Sequence, residues 1–81
     1  MANYKVVTSY TGAGNQLRHA KAWCIEEGAV YADNNFVKHA TVPPGEDPDD
    51  RAEELGNALW ADLEAAGHII VAREDRGHVI D

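Results

Sequence analysis

Thr11, Gly12, Gly14 and Asn15, with Arg18 and His19 close behind, are the residues of this 81-residue chain whose types and spacing come nearest to a chemistry. They follow the strand-like run Asn3-Tyr4-Lys5-Val6-Val7 and lead into residues 15–27, whose composition reads as a helix. A glycine turn in that position aims backbone N–H groups and the positive end of a helix dipole at an anion, and Arg18 would add a full charge. These six residues therefore carry one expectation, a small-ligand or anion site for phosphate or a nucleotide. Two features count against it. The third glycine of a dinucleotide fingerprint would fall at Leu17, and the Gly-Lys-Ser/Thr end of a phosphate-binding loop is missing. Turns also need positive φ for their own sake, so two glycines do not make a site.

The remaining chemistry-bearing side chains are scattered. His19, His39, His68 and His78 form no i, i+4 pair and have no companion motif of a metal site. Only a hairpin at the end of the chain could bring His68 and His78 together, and no metal or other cofactor is expected. Cys24 stands alone, on what reads as the core stripe of a helix, and is expected to act as a small buried hydrophobe. No nucleophile, base and orienting group share a spacing that catalysis needs, so the chain does not read as an enzyme.

What remains is charge and aromatic surface. The net charge is −7, yet residues 1–42 set Lys5, Arg18, Lys21 and Lys38 against only Glu26, Glu27 and Asp33. The acid is concentrated in residues 46–54, where six carboxylates accompany Arg51. Such a field repels phosphate backbones and attracts basic surfaces, so nucleic acid is not expected as a partner. Asp49, Asp50, Glu53 and Glu54 are the acidic contact candidates. Trp23 and Trp60, at the edges of the helical stripes, are the aromatic ones, because half-exposed tryptophans anchor interfaces.

Elements must position these groups. At this length one small core is expected, burying about 60% of the unfolded surface, in a single α+β domain spanning residues 1–81. The composition, 44% hydrophobic, is that of a globular chain. One cysteine and no apolar run of membrane-span length point to a cytoplasmic protein with no membrane association. Residues 3–9 read as a strand. Residues 15–27 read as a helix, with Asn15 as N-cap, Gly28 as terminator and Leu17, Ala20 and Cys24 as its buried stripe. The stretches 29–32 and 36–42 read as a hairpin turning at Asp33-Asn34-Asn35, and residues 43–48 as a proline-broken loop. Asp47 then caps a helix with Pro48 in its first turn, running to about Ala66 and stopped by Gly67, with Ala52, Leu55, Leu59, Leu63 and Ala66 on one face. Residues 68–73 read as a buried strand, 74–77 as a turn, and 78–80 as a short extra strand.

The expected order is β-α-β-β-α-β, the split βαβ pattern of ferredoxin-like domains, with two helices on one face of a mostly antiparallel sheet. Its other face would then lie open. The register is ambiguous: either Tyr4, Val6 and Thr8 or Lys5, Val7 and Ser9 face outward, and the same ambiguity divides Val37, His39 and Thr41 from Phe36, Lys38, Ala40 and Val42. The general character, small, acidic and without a catalytic motif, is similar to that of accessory proteins of phages and mobile elements of GC-rich bacteria. That likeness implies stoichiometric binding to a host protein, as an inhibitor or accessory factor. The main expectation is accordingly a non-enzymatic protein-interaction module, with a basic-surfaced protein as partner or with self-association through a sheet edge or face.

Overall fold

The computed structural model describes residues 3–12 and 18–79. Five elements succeed one another: β1 (Asn3–Thr11), β2 (Arg18–Glu26), β3 (Ala32–Val42), α1 (Pro48–Ala65) and β4 (Ile69–His78). The strands form one mixed sheet in the order β3-β2-β1-β4. β2 pairs antiparallel with both β1 and β3, whereas β4 lies parallel to β1. β3 and β4 therefore run the same way at opposite edges, and α1 is the crossover that such a connection requires. The result is a small α+β fold with one helix among the described residues, not the two-helix β-α-β-β-α-β order.

The first helix expected from sequence is strand β2. Its residues alternate: Ala20, Ala22 and Cys24 have no exposure, while Lys21 is exposed and Trp23 and Ile25 are half-buried between them. A period of two is a strand period. The small side chains on the inward side have a packing reason, because β2 lies under α1 and small residues there let the helix come close. Gly28 ends no helix but turns the β2–β3 connection at φ 89°, with the Ala29 N–H donating to the Glu26 carbonyl at 2.9 Å. Asp33-Asn34-Asn35 consequently lies within β3 and is not a hairpin turn, and no non-glycine residue among those described takes positive φ. β4 likewise runs through Glu74–Gly77 to His78 with an irregularity in its pairing near Thr8 and Tyr10, so the expected turn is part of one ten-residue strand and Val79 lies beyond it. Asn15 and Leu17 lie outside the described residues, as does Ile80.

α1 matches its sequence signals. The Asp47 carboxylate accepts from the Asp49 N–H at 2.9 Å, Pro48 occupies the first turn and Gly67 follows at φ 87°. Ala52, Leu55, Leu59 and Leu63 are buried; Ala66, expected on the same face, is instead the exposed C-cap. These leucines close on Tyr4, Val6, Ala20, Ala22, Cys24 and Val42, with Phe36, Ala40, Trp60 and Ile70 packed at the margin. The register ambiguity is thereby resolved. Tyr4, Val6 and Thr8 face the helix, and Lys5, Val7 and Ser9 face away.

Candidate interaction surface

With one helix over four strands, one whole face of the sheet has no secondary structure over it among the described residues. Register places Lys5 and Val7 of β1, Lys21, Trp23 and Ile25 of β2, Val37 and His39 of β3, and Ala72 and Glu74 of β4 on that face. Val7 is the centre. Its lateral neighbours are Trp23 on one side and Glu74 on the other, and it has no exposure although no helix lies above it. Side chains from both flanking strands must roof it.

The roof is charged and ordered. The Lys21 ammonium lies 5.2 Å and the Arg76 guanidinium carbon 5.5 Å from the Trp23 ring centre. Each such contact is worth about 0.5–1 kcal/mol on a surface, enough to restrict the indole before anything binds. Lys5 donates to Glu74 at 2.8 Å, and Arg76 donates to the other carboxylate oxygen. Glu74 is thus spanned by two cations, leaving three positive side chains against one neutralised carboxylate on this face of a chain whose net charge is −7. The sheet face is basic and the rest of the molecule carries the acid.

Glu74 reports on this network. Hydrogen bonds first from Lys5 and then from Arg76 favour its charged form and lower its pKa from the ordinary 4.5 to about 2. A carboxyl held lower in the folded than in the unfolded chain stabilises folding above the unfolded value, and that contribution disappears as pH falls through the folded one. Glu74→Gln should therefore lie furthest below wild type in stability above pH 4.5 and converge on it as the pH approaches about 2, read by urea unfolding at each pH. A constant gap across that window would show that the two cations do not hold the carboxylate.

Beside this network the face turns apolar. A cleft of about 390 Å³ opens next to Lys5, lined by Ile25, Ala29, Val71 and Ala72 and bordered by the acidic Glu26 and Glu27. At the same end of the sheet, Val30 and Tyr31 are each 84% exposed in the β2–β3 turn.

The acidic candidates lie elsewhere. Asp49, Asp50, Glu53 and Glu54 are all exposed on α1, but they diverge. Asp49 and Glu53 border a hollow shared with Thr8 and Asp75, while Asp50 and Glu54 line a cleft of about 510 Å³ against Thr41 and Pro43. Asp75 is held below the usual aspartate range by the Thr8 hydroxyl, 2.5 Å away, and then by Arg73. Trp60 is half-buried along the β4 side of α1, in a groove with Asn57, Ala61, Glu64 and Arg73. The two tryptophans are therefore on opposite faces of the sheet and cannot anchor one contact.

The described anion-site residues stay together at one end of the β1–β2 pair, where Thr11 stands directly opposite His19. Thr11 ends β1, Gly12 follows at φ 101°, and Arg18 and His19 open β2, while Gly14 and Asn15 lie outside the described residues. The segment after the glycines begins a strand, so the helix N-terminus on which that chemistry depended is missing at residues 18–26. His68 packs edge-on against Tyr4 and Phe36 at 5.0 and 5.6 Å, whereas His78 stacks on Tyr10 at the far end of β4. Among the described residues no cluster could hold a metal ion, and no helix is long and apolar enough to cross a membrane.

Lys5, Lys21, Glu74 and Arg76 were absent from the sequence-derived candidates. The signal for one of them, Lys21, was present in the alternation His19, Lys21, Trp23, Ile25 against Ala20, Ala22, Cys24. Comparison with protein-family models, curated proteins and solved structures finds no match to this chain.

Proposed function

We propose that the chain is a non-enzymatic protein-interaction module, acting by stoichiometric binding as a phage or mobile-element accessory or inhibitor protein would, and that its contact surface is the open sheet face around Trp23. One observation carries the reading: Trp23 is held between Lys21 and Arg76 on a face that no helix among the described residues covers. A tryptophan restrained before binding loses less entropy when a partner packs on it, and the adjacent cations favour a partner surface bearing carboxylates. A folded acidic protein can meet this face while keeping clear of the helix. A phosphate backbone of extended reach would also feel the carboxylates of α1.

A second reading rests on α1 itself, whose exposed Asp49, Asp50, Glu53 and Glu54, only the last of them paired among the described residues, with Arg51 at 2.7 Å, would suit a basic partner. One experiment separates the two. Proteins captured on the immobilised chain are titrated calorimetrically against wild type, Trp23→Ala and the triple change of Asp49, Asp50 and Glu53 to lysine. Trp23→Ala is expected to weaken binding about tenfold or more, the size of an interface hot spot, while the triple variant binds like wild type. The reverse pattern assigns the contact to α1, and a partner indifferent to both changes rules out both surfaces.

A further inference from the structure

β4 is an edge strand of ten residues with no proline, and its outward edge has no strand beside it among the described residues. Apolar side chains gather along that edge. Ile69 is 48% and Val71 52% exposed, and on the helix side Ile70 and Trp60 are only partly covered, above the groove formed with Asn57, Ala61 and Arg73. Unpaired strand edges of this kind are templates for another strand, and proteins ordinarily blunt them with proline, lysine or a cover. The only blunting visible here is the pairing irregularity near Val71 and the charged run Arg73-Glu74-Asp75-Arg76.

That run is self-complementary. If two β4 strands pair antiparallel about a two-fold axis through Glu74, each Arg73 stands opposite the second copy's Asp75, and each Asp75 opposite the second copy's Arg73. Both belong to the helix side of the sheet, where Arg73 and Asp75 already touch within one chain at 3.2 Å. Ile69 then stands opposite Val79, and Ala72 opposite Arg76. The two Glu74 carboxylates meet at the axis on the open face, a like-charge contact that opposes the pairing and is offset by Lys5 and Arg76 of each chain, with the other copy's Arg76 in diagonal reach. Residues directly opposite are about 4.5–5.5 Å apart between Cβ atoms, close enough for every one of these pairs to interact.

We propose that β4 is a homodimer edge, pairing antiparallel with β4 of a second copy in the register centred on Glu74. The dimer is one continuous eight-stranded sheet with both helices on one side. Its groove beside Trp60 is closed by the second copy, and its two Trp23-centred faces lie side by side on the other. The proposal stands apart from the Trp23 reading, since the edge would pair whether or not the open face binds a partner.

Sedimentation equilibrium across a concentration series tests it. Wild type is expected to approach twice the chain mass of 8.8 kDa, and Val71→Lys, a change at an exposed edge position, to sediment at 8.8 kDa with an unchanged circular dichroism spectrum. Arg73→Asp should also dissociate the dimer by opposing two carboxylates, and adding Asp75→Arg should restore it. Under mild oxidation Glu74→Cys should give a covalent dimer, while Thr41→Cys on β3 should not. A monomer at every concentration, or a dimer that survives Val71→Lys or is trapped by Thr41→Cys instead, overturns the proposal.

Discussion

Leu59→Ala is expected to destabilise the domain by about 2–5 kcal/mol, the usual cost of deleting a buried leucine side chain and leaving its cavity. Leu59 is only 1% exposed and belongs to the cluster that joins α1 to Val6, Ala22 and Cys24. The β2 members of that cluster, Ala20, Ala22 and Cys24, are small and have no reach with which to fill the space, so collapse of the cavity is limited. A domain of this length has a total stability of roughly 4–12 kcal/mol, so the loss is a large part of the whole. Urea unfolding measures it. A loss under about 0.5 kcal/mol, which is what an exposed substitution gives, would mean that α1 presents a different face to the sheet.

Gly56 gives the second large effect, and its sign is diagnostic. Replacing a helix-interior glycine by alanine ordinarily gains about 1 kcal/mol. Here a Cβ at residue 56 would come within 2.7 Å of Thr8 Cγ2 and 2.6 Å of the Arg73 guanidinium. The guanidinium can swing aside, but only by giving up its bonds to the Asn57 side chain and the Glu53 carbonyl, and the Thr8 methyl is fixed on a central strand. Overpacking of this kind costs about 1–3 kcal/mol, so Gly56→Ala should be destabilising on balance and Gly56→Val should lose about 3 kcal/mol or more. Adding Thr8→Ser removes the methyl but keeps the hydroxyl that bonds Asp75, and should recover part of the loss. If Gly56→Ala instead stabilised the protein by the ordinary helix increment, α1 would not approach β1 this closely.

These positions also show what the sequence could reveal. α1 was legible because its signals agree: an Asp-Pro start, leucines four residues apart at Leu55, Leu59 and Leu63, and a glycine stop. β1 was legible from its β-branched run. β2 was misread because alanine and cysteine are weak hydrophobes, so Leu17, Ala20 and Cys24 fit a helical spacing while Ala20, Ala22 and Cys24 fit a strand spacing. Asn15 and Gly28 then supplied apparent helix ends. Tertiary packing under α1 decided for the strand, as it commonly does over local propensity.

One error displaced others. With β2 a strand, the true hairpin turn is at Gly28, the asparagines of β3 lose their turn role, and the glycine stretch leads to no helix at residues 18–26. Beyond Lys21 in the β2 alternation, the basic face was not legible. Lys5, Lys21 and Arg76 come from three different strands, and only the register that sets Trp23 and Glu74 on either side of Val7 assembles them.

If the open face around Trp23 is the contact surface, as proposed, the two indole N–H groups report it most directly. They belong to opposite faces of the sheet. In a nitrogen–proton correlation spectrum of the labelled protein, with each indole signal assigned by a Trp23→Phe or Trp60→Phe variant, a captured partner is added in steps. The Trp23 indole is expected to shift or broaden together with the amides of β2 and β4, while the Trp60 indole and the amides of residues 49–54 stay in place. Movement of the α1 amides with Trp23 unchanged would contradict the account and transfer the contact to the acidic helix.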